Sequence, residues 1–140
     1  MKLITYLTFA GNCEEALNFY KETLSGEILQ LSHMGEGQME VPESVNGKVM
    51  HARLKFGDNE LYMSDNFDPS SIKQGNNVSL SLQSDNLAQT ETLFNKLSAN
   101  GNVIMPLQDT FWGARFGMFT DKFGIQWMIN CELKKEAALN

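Results

Sequence analysis

Cysteine, histidine and proline are all scarce in this 140-residue chain, with two, two and three copies respectively. Cys13 and Cys131 cannot build a disulfide framework. A chain of this length buries roughly two-thirds of its unfolded surface without one. Sparse cysteine suits a reducing compartment, so a cytoplasmic protein is expected. Positive charge is also short: 11 Lys and Arg against 17 Asp and Glu leave a net charge of −6. That balance argues against nucleic acid and against an anionic membrane surface as partners. The single adjacent basic pair is Lys134-Lys135, at the tail. No apolar run approaches the roughly 20 residues that cross a bilayer. The first residues, Met1 to Tyr6, lack the long apolar stretch and small-residue cleavage site of a secretory leader. No glycine spacing matches a phosphate-binding loop, since Gly11-Asn12-Cys13 offers a single glycine before a helix.

What is present reads as two similar halves. In the first, Leu3 to Ala10 is a strand, and Asn12 with Glu15 makes a capping-box-like start to a helix. Ala16, Leu17, Tyr20 and Leu24 recur at helical spacing as its buried stripe, and Gly26 ends it. Strands follow at Glu27 to His33, Val49 to Phe56 and Glu60 to Ser64. The plan returns about 73 residues later, with Asp85 set against Asn12. Val78, Leu80 and Leu82 alternate with Ser79, Ser81 and Gln83. Asp85 or Asn86 caps a helix with Leu87, Leu93, Phe94 and Leu97 on one face, and Asn100-Gly101 closes it. Strands at Val103 to Leu107, Ala114 to Thr120 and Ile125 to Cys131 complete the half. Asp121-Lys122-Phe123-Gly124 is hairpin-turn chemistry, because glycine takes positive φ without steric cost. Two polar stretches interrupt the pattern. Gly35 to Lys48 is either a cleft lid or a mobile loop, and Asn66 to Asn77 is the natural linker between halves.

The stretch Phe111 to Asn130, FWGARFGMFTDKFGIQWMIN, closely resembles the C-terminal hairpin of PhnB-like proteins. These form a branch of the vicinal-oxygen-chelate (glyoxalase/bleomycin-resistance) superfamily. Phe9-Ala10-Gly11-Asn12-Cys13 with the following helix, and Tyr62-Met63-Ser64-Asp65 after Gly57-Asp58-Asn59, carry the same resemblance. It implies an α+β fold of two βαβββ modules forming a curved mixed sheet, with an internal cleft and helices outside. It implies one glyoxalase/bleomycin-resistance-like domain over residues 1–140, with repeats at about 1–66 and 77–132 and a linker at 67–76. It also implies a homodimer.

Metal-using relatives place His, Gln or Glu on four cleft-facing strands. The equivalent positions here fall near Thr5, Tyr62 or Met63, Ser79 and Met128, none a good ligand for a divalent cation. No metal and no other cofactor is therefore expected. Proteins of this kind are sometimes labelled demethylubiquinone methyltransferases, yet the sequence has no Rossmann-type unit with a glycine-rich turn for S-adenosylmethionine.

Five residues are candidates for ligand binding. His51 and Arg53 alternate on one strand and share a face with Lys55. An arginine there could hold an oxyanion while the histidine exchanges a proton near neutral pH. The plainer alternative pairs Arg53 with a surface carboxylate. By the resemblance, Trp112 and Arg115 border the cleft; otherwise Arg115 holds the turn by pairing with Asp121. Tyr62 sits where a relative would carry a metal ligand. Tyr6, Phe9, Met63 and Trp127 could line a pocket or belong to the core. Cys13 lies at a helix start, which lowers a thiol pKa, while Glu14 and Glu15 oppose this.

Three functions compete. The first is binding of a small molecule in the cleft without a catalytic metal. The second is an enzyme of lyase, isomerase or transferase type, in which arginines would supply the positive charge that a metal supplies elsewhere. The third is a non-catalytic interaction protein.

Overall fold

A computed structural model describes residues 1–37 and 40–133. Lys134-Lys135 and two positions of the Gly35–Lys48 stretch lie outside the described residues. The chain divides into two compact units, Met1–Lys73 and Gln74–Asn140.

In the first unit β1 (Thr5–Phe9) leads into α1 (Cys13–Thr23), followed by β2 (Glu27–His33), β3 (Val49–Phe56) and β4 (Asn59–Asp65). The strands lie in the order β1-β4-β3-β2, with β1 parallel to β4 and the other neighbours antiparallel. This is the expected βαβββ module. Period-two alternation sorts its two faces. Leu7, Phe9, Ala52, Leu54, Leu61 and Met63 are buried together with Ala16, Leu17 and Tyr20 of α1. Each fully buried large side chain contributes about 2 kcal/mol. Tyr6, His51, Arg53 and Tyr62 have the opposite parity and occupy the face away from α1.

Both ends of α1 depart from the sequence expectation. Asn12 occupies the N-cap position but makes no side-chain cap bond. Asp65, at the end of β4, does this work from across the module. Its Oδ1 accepts from the backbone N–H of Gly11 at 2.9 Å and of Cys13 at 3.0 Å, and its Oδ2 from Val49 N–H at 2.9 Å. At the other end the left-handed residue is Ser25, with φ of 54°. Gly26 N–H donates to Lys21 O, and a Cβ at Gly26 would meet Lys55 O at 2.9 Å. Glycine is needed there for close approach rather than for positive φ. The Gly35–Lys48 stretch is tied at its stem. Met34 N–H donates to Lys48 O and Gly47 N–H to Met34 O, and Met34 and Val45 are buried.

The second unit repeats the topology with β5 (Leu80–Ser84), α2 (Leu87–Ser98), β6 (Asn102–Asp109), β7 (Ala114–Thr120) and β8 (Gln126–Glu132). Its order is β5-β8-β7-β6, with β5 parallel to β8. Val78 lies before the strand and is exposed. Asn86 is the cap, its side chain accepting from Gln89 N–H at 2.8 Å. Leu87 is exposed, and the buried stripe of α2 is Thr90, Phe94 and Leu97. Thr90 is tolerated inside because its hydroxyl donates to Asn86 O at 2.8 Å. Pro106 sits on β6, an outer strand of this sheet's order, where a missing N–H costs least. The Asp121–Gly124 turn forms as expected, with Gly124 at φ of 89°.

Candidate functional site

The outward face of the first sheet gathers three of the five candidates, on two strands. Arg53 on β3 lies directly opposite Tyr62 on β4, which in turn lies opposite Tyr6 on β1. The Arg53 guanidinium carbon stands 5.3 Å from the Tyr62 ring centre. His51, two positions along β3 from Arg53, meets Tyr62 edge-on at 5.2 Å between ring centres. Tyr6 stacks on His51 at 5.8 Å and 28°, and its phenol oxygen lies 3.1 Å from His51 Nδ1. Tyr6 and Tyr62 are edge-on at 6.3 Å. Three rings thus form one wall across three strands.

Tyr6, left by the sequence between pocket lining and core, is the β1 residue of this wall, one position from Thr5, where the metal-ligand equivalent was set. Thr5 has the parity of Leu7 and Phe9, the buried side of β1. The alternation of Leu7 and Phe9 with Tyr6 and Thr8 was the available signal, and a one-residue slip reverses every side chain.

Arg53 is not a free cation. Its Nε and Nη2 donate to Glu60 Oε1 at 3.2 and 2.7 Å, and Lys2 reaches Glu60 Oε2 at 3.0 Å. Arg53 first, then Lys2, hold the Glu60 carboxyl below its ordinary pKa. The plainer alternative for Arg53 is thus part of the site's geometry.

Trp112 and Arg115 belong to the second unit and lie on different sides of it. Trp112 is exposed in the β6–β7 turn and packs edge-on against Phe111 and Phe116, at 5.0 and 5.9 Å. Arg115 has the parity of Gly117 and Phe119, opposite to that of Phe116. Its Nη1 donates to Glu91 of α2 at 2.7 Å and its Nε to Asp109 of β6 at 2.6 Å. The expected alternative, a pair with Asp121, is not what forms. Asp121 Oδ1 accepts from Phe123 and Ile125 N–H, and Oδ2 accepts from the Trp127 indole. Arg115 is the second residue of β7 and Asp121 follows its last, so six residues of extended chain, about 20 Å, lie between them.

Cys13 is fully buried. Burial first, then the charges of Asp65 and Glu14, push its thiol well above the ordinary range. The helix start does not produce a thiolate here. The other histidine, His33, is a bridge: Nδ1 faces Glu36 Oε1 and Nε2 faces Glu14 Oε1. The hydrogen bond to Glu14, then that to Glu36, raises its pKa above 6.5. Stability from this pair is complete below the unfolded histidine's pKa and is lost as pH rises through the folded value. A ring-proton titration by NMR should give a His33 midpoint above 6.5 that falls in a Glu14→Gln, Glu36→Gln variant. An unchanged midpoint would remove the bridge.

Among the described residues no group of three or more His, Cys, Asp or Glu could hold a metal ion. On the outward faces, β1 and β4 carry Tyr6, Thr8, Glu60, Tyr62 and Ser64, and β5 and β8 carry Ser81, Gln83, Gln126, Met128, Asn130 and Glu132. Each face has a single carboxylate among phenol, hydroxyl, amide and thioether groups, and Glu60 is already bound to Arg53 and Lys2, so neither set suits a divalent transition metal.

The chain is similar to known proteins over nearly all of its length. The sequence profile of a family described as 3-demethylubiquinone-9 3-methyltransferase matches residues 1–130. Protein YjdN of Escherichia coli K12 is 35% identical over 140 residues, covering 93% of this chain and 95% of its own. The crystal structure of PA1353 from Pseudomonas aeruginosa is 42% identical, with TM-score 0.86 over 96% of this chain and 99% of that one. A PhnB protein from Bacillus cereus, carrying the same methyltransferase description, is 28% identical with TM-score 0.82, over 94% of this chain and 99% of that one.

Proposed function

Because the chain belongs to the 3-demethylubiquinone-9 3-methyltransferase family, the PhnB-like branch of the glyoxalase/bleomycin-resistance superfamily, we propose that it binds a small molecule on the outward face of its first module. The binding needs no catalytic metal. The observation that carries this reading is the convergence of His51, Arg53 and Tyr62 with Tyr6 on one open sheet face. Aromatic surface with a few placed polar groups is the ordinary make-up of a small-molecule site. Trp112, exposed with Phe111, is a further surface a ligand can use. Arg115, bound to two carboxylates, holds β7 to β6 and α2 and contacts ligand less readily than the other four candidates. The two modules work as one domain, and the protein as a cytoplasmic homodimer, the commonest closed assembly.

The methyl transfer named in the family's description finds no matching feature in the described residues. The β1–α1 turn has one glycine, and the Gly11 and Cys13 N–H groups at the helix start already bind Asp65.

Native mass spectrometry with elemental analysis, on protein prepared without affinity metal, tests the proposal. The expected result is a metal-free dimer carrying a co-purified small molecule, which a His51→Ala, Arg53→Ala variant no longer retains. Stoichiometric metal, or retention of the ligand by that variant, would overturn it.

A further inference from the structure

The three-ring wall has a chemical preference of its own, and we infer that it selects a flat aromatic ligand with an acceptor oxygen and at most one negative charge, with Tyr6 fixing which His51 nitrogen meets that oxygen. This rests on the binding site proposed above and specifies what the site takes.

The wall crosses β4 where an outward side chain is small. Tyr6 on β1 and His51 on β3 are separated by β4, yet their side chains touch. The β4 residue after Tyr62 on that face is Ser64, paired with Thr8 on β1. Both are small, so the larger rings can close over them. The result is Tyr6 lying along His51 with Tyr62 edge-on to both, an arrangement that offers both a ring face and ring edges to an incoming flat molecule.

The proton follows from the donor chemistry. A phenol O–H is a good donor, and an imidazole nitrogen is a better acceptor than a phenol oxygen. Tyr6 therefore donates to Nδ1 across the 3.1 Å contact. In the neutral ring the proton then sits on Nε2, because the partner of one nitrogen decides the state of the other. The atom left for a ligand is an N–H donor, which calls for a carbonyl or similar acceptor oxygen. Tyr6 is a positioning residue acting through His51.

The charge on this face sets the upper limit. Arg53 is matched by Glu60, which also takes Lys2, and Lys55 lies exposed beyond it on β3. What remains is a small positive excess spread over solvated lysines. A dianion would lose much of its hydration without meeting a free guanidinium fork.

The experiment uses full-length protein labelled with nitrogen-15. Histidine ring-nitrogen shifts report the tautomer, and titrations use acetophenone and phenylphosphonate as probes. The expected result is an Nε2–H tautomer at His51, with acetophenone shifting Tyr6, His51 and Tyr62 and phenylphosphonate binding more weakly. Tyr6→Phe keeps the ring but raises the Nδ1–H population of His51, and weakens acetophenone by less than the roughly fivefold that loss of the ligand's own hydrogen bond would give. Tyr62→Leu weakens acetophenone without changing the tautomer. Tighter binding of phenylphosphonate overturns this inference alone. An unchanged tautomer and affinity in Tyr6→Phe overturns the role of Tyr6. Failure of both probes to shift any of the three rings overturns this inference and the binding site together.

Discussion

Replacing Asp65 by Ala should destabilise the protein by about 4 kcal/mol, because three backbone N–H groups lose their acceptor and each buried orphan costs about 1–3 kcal/mol. Asp65 is 4% exposed, so water cannot readily substitute. Its two oxygens serve the β1–α1 turn and the start of β3 at once, which no neighbouring group duplicates. Asp65→Asn keeps one carbonyl oxygen and should cost less, about 2 kcal/mol, with the loss falling on one of the two sets of donors. Asn12→Ala should cost a few tenths of a kcal/mol only, since Asn12 caps nothing with its side chain. Chemical denaturation of the three variants checks the ranking. An Asn12→Ala cost equal to that of Asp65→Ala would show that the local cap, not the distant carboxylate, holds α1.

The second large effect is expected at Gly117, on the side of β7 covered by α2. A Cβ there would meet Phe94 Cε2 at 2.5 Å and Met105 O at 3.1 Å. Phe94 is buried and edge-on to Phe119 at 5.1 Å, so it cannot simply swing away. Gly117→Ala should therefore cost about 2–3 kcal/mol as an overpacked core does. Phe94→Leu alone should also destabilise, by cavity formation. The double variant should be more stable than the sum of the two single changes predicts, because the shorter side chain makes room for the new methyl. Strict additivity in a double-mutant cycle would mean that Phe94 is not what constrains position 117.

These two sites show what could and could not be read in the sequence. The β2 and β3 limits, most of the α1 stripe and the repeat were legible in neighbouring residues, with period-two burial plain along β3; the α2 stripe was legible only at Phe94 and Leu97, since Leu87 is exposed and Thr90 takes the buried place. Asp65 was not legible as a cap: its partners lie far away in sequence, and nothing local distinguishes it from a strand-ending aspartate. The same reason separates the candidate residues. His51 and Arg53 were found because alternation on one strand placed them on a face, and Tyr62 because the resemblance put it where a relative carries a metal ligand. Their joining with Tyr6 depended on β1 lying parallel beside β4, a pairing that no local pattern specifies. Arg115 was placed with Trp112 at the cleft by the resemblance. One position along a strand changes the face, and the carboxylates that bind it come from β6 and α2.

The parallel pairing of β1 with β4 also orders events during synthesis. β1 is the first strand of its module, yet among the described residues its partner in the sheet is the module's last strand. Until residue 65 leaves the ribosome, β1 has no ladder and α1 has no acceptor for its first N–H groups. The hairpin-like neighbours β2, β3 and β4 can pair as they emerge, so the module closes from its end towards its beginning. A stalled or truncated chain lacking β4 would therefore present β1 as an unpaired apolar edge, with Leu7 and Phe9 uncovered. The second module repeats the hazard with β5 and β8.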